Sequence, residues 1–213
     1  MNEVTIIDYG IGNLLSVRRG FEHLNATVTL TSNPDVICNS SKIVLPGVGA
    51  FADGKSELDC RGLTSAITEA ATNGIPILGI CLGMQLLFDE SEEFGINNGL
   101  GLIPGRVVPI PAKDSDGKNQ KLPHIGWNEL VYTDVWHEWK DTLLNNTNPK
   151  EAFYFVHSYM AMPNETKHKV ADCLYGGIPI SAVVNRDNIF GCQFHPEKSG
   201  KAGLEILRRF IEI

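Results

Sequence analysis

Apolar positions along the chain follow two rhythms. Residues 4–8 form a short apolar run that reads as a first strand, broken by Gly10-Ile11-Gly12. Leu14, Val17, Phe21 and Leu24 then recur at helical spacing, and Asn13 stands where it can cap that helix. Residues 27–31 and 42–45 read as the second and third strands, and Pro46-Gly47-Val48-Gly49-Ala50-Phe51 follows the third directly. Residues 62–73 place Leu63, Ile67 and Ala70 or Ala71 on one helical face. Residues 76–80 are a further apolar run, and residues 82–88 an apolar helix. The order β-α-β-β-α-β-α predicts a doubly wound parallel sheet.

The texture changes after Asp89. Asp89-Glu90-Ser91-Glu92-Glu93 is acidic and reads as solvated surface. Residues 107–110, 129–132, 152–156, 169–174, 180–184 and 189–193 read as strands joined by turns. That pattern predicts an antiparallel addition to the sheet instead of a second αβ half. Residues 114–121 form a polar loop, expected to be mobile. Ser199 is expected to cap a last helix whose buried face is Leu204, Leu207, Phe210 and Ile211.

Composition narrows the options. The chain has 213 residues and a net charge of −7, without a lysine or arginine block, which disfavours nucleic acid as a partner. No apolar run approaches the roughly 20 residues of a bilayer span, and residues 1–7 lack the features of a signal peptide. The five cysteines (Cys38, Cys60, Cys81, Cys173 and Cys192) are scattered, which argues against a disulfide framework or a zinc site and for a reduced cytoplasmic setting. Gly10-Ile11-Gly12 lacks the third glycine of a dinucleotide loop, so no nucleotide cofactor is expected there.

The strongest chemical signal is Gly79-Ile80-Cys81-Leu82-Gly83, between an apolar strand and an apolar helix. It has the form of a nucleophile elbow with cysteine at its centre. Such a turn lifts the sulfur above the sheet and aims a helix N-terminus at it, which favours a thiolate. A buried core cysteine fits the same five residues. A base elsewhere distinguishes the two. Gln193-Phe194-His195-Pro196-Glu197 supplies one, because in an extended segment His195 and Glu197 share a side. The carboxylate can then orient one ring nitrogen while the other takes a proton from the thiol. The remaining histidines are weaker candidates. His23 falls on the exposed side of the first helix, His137 and His168 lie among polar residues, and His124 and His157 lack a carboxylate two positions away.

Pro46-Gly47-Val48-Gly49, Gly79 to Gln85 and Phe194 to Ser199 together resemble the signatures of class I, triad-type glutamine amidotransferases. Asp8 to Asn13, Pro123-His124-Ile125-Gly126-Trp127-Asn128 and Tyr154 to Tyr159 are similar to strings in the glutaminase subunits of imidazole glycerol phosphate synthases. The resemblance runs from the first strand to the last helix. It implies one amidotransferase domain over residues 1–213, with a three-layer, flavodoxin-like α/β fold whose central, mostly parallel sheet carries antiparallel additions. It implies Cys81 as nucleophile, His195 as acid and base, and Glu197 as orienter. It further implies an oxyanion hole at the backbone N–H groups of Val48 and Leu82, and substrate contacts at Gly49, Gln85, Glu93, Ser158 and Tyr159. Asn13, Trp127 and Lys198 are implied at the contact with a (β/α)₈ cyclase subunit, in a heterodimer that uses glutamine and needs no metal or cofactor in this chain. A γ-glutamyl hydrolase, or the amidotransferase subunit of another synthase, is the alternative.

Overall fold

A computed structural model describes residues 2–213. In its first half, β1 (Glu3–Ile7), α1 (Leu14–His23), β2 (Thr27–Thr31), α2 (Pro34–Cys38) and β3 (Ile43–Gly47) lead to α3 (Phe51–Cys60) and α4 (Leu63–Thr72). The elbow joins β4 (Ile77–Cys81) to α5 (Leu82–Leu86). Five short or medium strands follow: β5 (Phe88–Ser91), β6 (Asn97–Asn98), β7 (Ile103–Pro109), β8 (His124–Tyr132) and β9 (Ala152–His157). The chain ends with β10 (Tyr159–Pro163), β11 (Lys169–Tyr175), β12 (Ile178–Arg186), β13 (Ile189–Cys192) and α6 (Gly200–Glu212).

The main sheet has the order β2-β1-β3-β4-β13-β12-β11-β8-β9. Its first five strands are parallel neighbours in the flavodoxin-like order. The remaining four pair antiparallel. The parallel strands are buried on both faces, so β3 and β4 read as unbroken apolar runs. One core lies against α1 and α6, where Phe21 packs edge-on against Phe210. A second lies on the opposite face, against α2, α3, α4 and α5, through Ile37, Leu58, Ile67 and Leu86. The two cores with the sheet between them make the expected three layers.

Several local expectations need correction. Residues 88–91 are not helix end and solvated surface. They form β5, with Phe88 and Ser91 fully buried. Residues 107–110 do not extend the main sheet, because β7 belongs to a separate four-stranded sheet of order β10-β7-β5-β6. α2, α3 and β10 are additional elements, and β8 starts at His124 instead of Glu129. The polar loop closes as a hydrogen-bonded turn: Asp114 Oδ1 accepts from the backbone N–H groups of Asp116 (3.0 Å) and Lys118 (2.8 Å), and Lys113 bridges to Asn119. Neither Asn13 nor Ser199 caps its helix through the side chain. On α6, Ile206 is fully buried and Leu204 only partly.

Candidate active site

Cys81 is the last residue of β4 and the N-cap of α5, at φ +54° and ψ −112°. A positive φ at a residue with a side chain costs about 1–3 kcal/mol and is held only by over-determined surroundings. The neighbouring glycines provide those surroundings through packing. A Cβ on Gly79 would lie 2.6 Å from Gly83 O, and a Cβ on Gly83 would fall onto Leu45 O. The helix can therefore press directly on strands β3 and β4, and the elbow has no room to relax. Leu82 is the first helical residue, so its backbone N–H stands at the open end of α5 beside the sulfur.

The Pro-Gly-Val-Gly turn lies next to the elbow because Gly47 pairs with Cys81 across β3 and β4. Tyr9 Oη donates to Pro46 O at 2.8 Å from below, and burial raises the phenol pKa, with the Cys81 charge adding to the rise. A Cβ on Gly47 would overlap that phenol oxygen. Beyond the pinned residue the turn is open. Val48 is 39% exposed, Gly49 sits at φ +104°, and a Cβ there would meet nothing within 4 Å.

β13 is parallel to β4, as the catalytic reading required, with Cys192 paired to Ile80. The chain leaves it through His195 at φ −97°, and Pro196–Lys198 then makes one 3₁₀ turn. Thus it is this tight turn, not a continued extended segment, that brings Glu197 beneath the ring. His195 Nδ1 donates to Glu197 Oε1 at 2.9 Å, and the two side chains are 2% and 1% exposed. The backbone N–H of His195 donates to Tyr154 O at 2.9 Å. Ser199 Oγ donates to His195 O at 2.7 Å and accepts from the Tyr154 N–H at 3.0 Å, which ties the turn to β9.

Burial alone would lower the His195 pKa. Hydrogen bonding and charge from Cys81, then from Glu197, outweigh it and push the value up to about 9. The ring is thus poised to carry a proton beside the sulfur. With the thiol protonated, Sγ donates instead to Val156 O at 3.9 Å, and His195 Nε2 has no well-formed hydrogen bond in the chain. Cys81 is close enough for its charge to govern the ring, while the sulfur's resting partner is the β9 carbonyl.

A cavity of about 250 Å³ opens over the sulfur. It brings together Val48, Gly49, Cys81, Leu82, Gln85, Glu93, Ser158, Tyr159 and His195 from the sequence expectation, and adds Pro123, Val156 and His157. Gln85 Nε2 donates to Tyr159 O at 3.2 Å and to Gln193 Oε1 at 3.0 Å. Glu93 Oε2 accepts from the Phe51 N–H at 2.6 Å, so it caps α3 as well as facing the cavity. The volume suits a small amino acid, and the lining offers it polar groups as well as the sulfur.

Asn13, Trp127 and Lys198 lie outside this cavity. Asn13 lines a narrow cleft shared with His195 and Glu197, Lys198 is exposed, and Trp127 is 57% exposed with its ring edge-on to Tyr154. Sequence reasoning assigned no role to the buried imidazole pair in which His124 Nδ1 and His157 Nε2 lie 3.0 Å apart. His157 Nδ1 donates to Tyr159 O at 2.8 Å, and burial holds its pKa down near 3. Gln193 was missed as well. Its signal was a lone amide in the apolar run Ile-Phe-Gly-Cys-Gln-Phe, since a polar group in a buried strand must find a partner. Among the described residues, no three His, Cys, Asp or Glu side chains converge as a metal site.

The family profile described as "Glutamine amidotransferase class-I" matches residues 5–213. The imidazole glycerol phosphate synthase subunit HisH 1 of Legionella pneumophila (strain Lens) is 51% identical over 213 residues, covering 100% of both chains. The subunit HisH of Geobacillus sp. (strain WCH70) is 44% identical over 210 residues, 99% of this chain and 96% of that one. Among solved structures, a glutamine amidotransferase superposes with a TM-score of 0.72 at 14% identity, covering 98% of this chain and 97% of the other. PurLQS from Thermotoga maritima gives 0.70 at 20% identity, over 99% and 97%. Those two structural likenesses speak for the fold, and the full-length identities for descent. The chain belongs to the class-I glutamine amidotransferase family, on its HisH branch.

Proposed function

We propose that this chain is the cytoplasmic glutaminase subunit of an imidazole glycerol phosphate synthase, acting in a heterodimer with a (β/α)₈ cyclase. The observation that carries most weight is a cysteine elbow facing a buried His–Glu pair across one sheet edge. The Cys81 thiolate attacks the carboxamide carbon of glutamine, and the C=O electron pair moves onto oxygen. The backbone N–H groups of Val48 and Leu82 hold that oxyanion. Loss of one such donor costs about 2.7–4 kcal/mol in comparable chemistry. The His195 imidazolium gives its Nε2 proton to the departing nitrogen, the C–N bond breaks, and ammonia leaves. A γ-glutamyl thioester remains on Cys81. His195, now neutral, takes a proton from water, which attacks the thioester and releases glutamate and the thiolate. Glu197 keeps the ring oriented throughout. Gly49, Gln85, Glu93, Ser158 and Tyr159 hold the amino-acid end of the substrate.

Ammonia released into neutral water becomes ammonium and loses its reactive lone pair. Delivery to the cyclase is therefore direct, across the face carrying Asn13, Trp127 and Lys198. There the nitrogen enters imidazole glycerol phosphate, and an aminoimidazole carboxamide ribotide is released. Rotation of a peptide in Gly47-Val48-Gly49 couples the two sites, and the open surroundings of Gly49 support such freedom. The experiment combines the chain with a cyclase and assays glutamine hydrolysis with and without the cyclase's nucleotide ligand. Weak turnover alone and strong turnover in the loaded complex are expected. Equal turnover in both would reject the coupling. Cys81→Ala should abolish glutamine-dependent synthesis and leave ammonia-dependent synthesis by the partner intact.

A further inference from the structure

Gln193 is fully buried in the strand end beneath the elbow, and its side-chain amide lies between two groups of the site. Its Oε1 accepts from Gln85 Nε2 at 3.0 Å, and its Nε2 is 3.8 Å from Cys81 Sγ. The direction of this chain of bonds is forced from one end. Tyr159 O is a carbonyl and only accepts, so Gln85 must present its NH₂ there. That same NH₂ reaches Gln193, whose near atom must then be the carbonyl oxygen. The atom left facing the sulfur is an NH₂ group, and turning the Gln193 amide over would set two NH₂ groups against each other.

A donor aimed at sulfur discriminates between its protonation states. The thiol satisfies itself by donating to Val156 O at 3.9 Å. The thiolate has no proton to give and needs donors. Water cannot supply one from beneath, since Gln193 is 0% exposed and Cys81 itself 6%. We propose that Gln193 is a positioning residue that holds and stabilises the Cys81 thiolate through its side-chain N–H, with its orientation imposed by Gln85 and, through it, by the Tyr159 carbonyl. It complements His195. The imidazolium supplies charge, and the amide supplies a neutral donor fixed by its own hydrogen bonds. The assignment deepens the glutaminase reading and rests on Cys81 being its nucleophile.

The test reads the sulfur directly. Alkylation of Cys81 by iodoacetamide is followed by mass spectrometry of its peptide across pH 5 to 10, which separates it from the exposed Cys60. Gln193→Met keeps length and volume and removes the donor. The midpoint of its alkylation profile should rise by about one pH unit, with about a tenfold lower rate at pH values below both midpoints, since hydrogen bonds to charged groups are worth that much or more. In the complex, kcat for glutamine should fall while KM changes little. A folded Gln193→Met protein with the wild-type alkylation profile would overturn the proposal. A second measurement needs no variant. The Gln193 side-chain ¹⁵N resonance of the intact protein should titrate with the Cys81 midpoint, and a resonance indifferent to that transition would overturn it equally. A shifted profile without glutaminase activity in the loaded complex would instead reject the functional reading and leave the Gln193 contact standing.

Discussion

Cys81, His195 and Glu197 show how single residues set the pH behaviour of the molecule. His195 is raised from the usual imidazole range to about 9, so its folded form binds a proton more tightly than its unfolded form. That contribution is fully present below the unfolded pKa of about 6.5 and is lost as pH rises through 9. His157 works in the opposite sense. Buried and held near 3, it stays neutral while the unfolded chain takes up a proton, so its contribution fades as pH falls from about 6.5 toward 3. Urea unfolding at intervals from pH 4 to 10 should give a maximum between the two windows. Cys81→Ala should flatten the alkaline limb most and Glu197→Gln in part, and an unchanged alkaline limb in both variants would show that these neighbours of His195 are not its source. Gly83→Ala is a sharper structural test. Its methyl would meet a strand carbonyl, and we expect a loss of about 3 kcal/mol or more in thermal or chemical melts. Cys81, His195 and Glu197 were legible in sequence as candidates because each sits in a contiguous string with its own local logic. Gln193 was not, because the groups that give it meaning lie 108 and 112 positions away.

Elements were legible where one face alone is buried and less so where tertiary contacts decide. α1 and α4 announce themselves by apolar spacing, and their buried residues follow it. α3 buries only Phe51, Gly54 and Leu58, too sparse a stripe to stand out, and its first turn is fixed by Glu93 from beyond the elbow. Glu93→Ala should lower stability by about 1 kcal/mol through loss of the cap, and Glu93→Gln by less, read as a shift in the melting temperature. β5 was hidden by its acidic letters, although the residues at its two ends are buried. Ser199 stands one position before α6, where a cap is expected, yet its hydroxyl serves His195 and Tyr154 instead. Ser199→Ala takes the hydroxyl from the Tyr154 N–H, whereas His195 O keeps the Lys198 N–H at 3.0 Å. We expect a loss of about 1–3 kcal/mol and a lower kcat, since the turn that presents His195 is then less firmly tied to β9. An unchanged kcat would argue against that tie.

At the scale of the whole molecule, the parallel half of the sheet was legible from strand order, and the second sheet was not. β10 and β7 join segments about fifty residues apart, and no local pattern signals their pairing. The exposed apolar residues also make sense only in three dimensions. Leu15, Ile125 and Trp127 are each more than half exposed, at 56%, 57% and 57%, which is unusual company for a water-facing surface. Trp127→Ala should weaken cyclase binding by roughly 2–4 kcal/mol in calorimetry while leaving the melting temperature of the isolated chain unchanged. A lowered melting temperature with intact binding would reassign the indole to the fold.

The two sheets divide the labour of the pocket. Sulfur and imidazole stand at strand ends of the large sheet, whereas Tyr159 begins a strand of the small one and Glu93 follows the end of another. Part of the pocket wall and the cysteine–histidine pair are thus mounted on separate plates that meet along a seam. Sliding one plate by about an ångström would leave a seated molecule out of line with its attacker, at a cost of roughly a hundredfold in rate. Occupancy and reactivity in this architecture are separate adjustments, so a full pocket can also be an idle one.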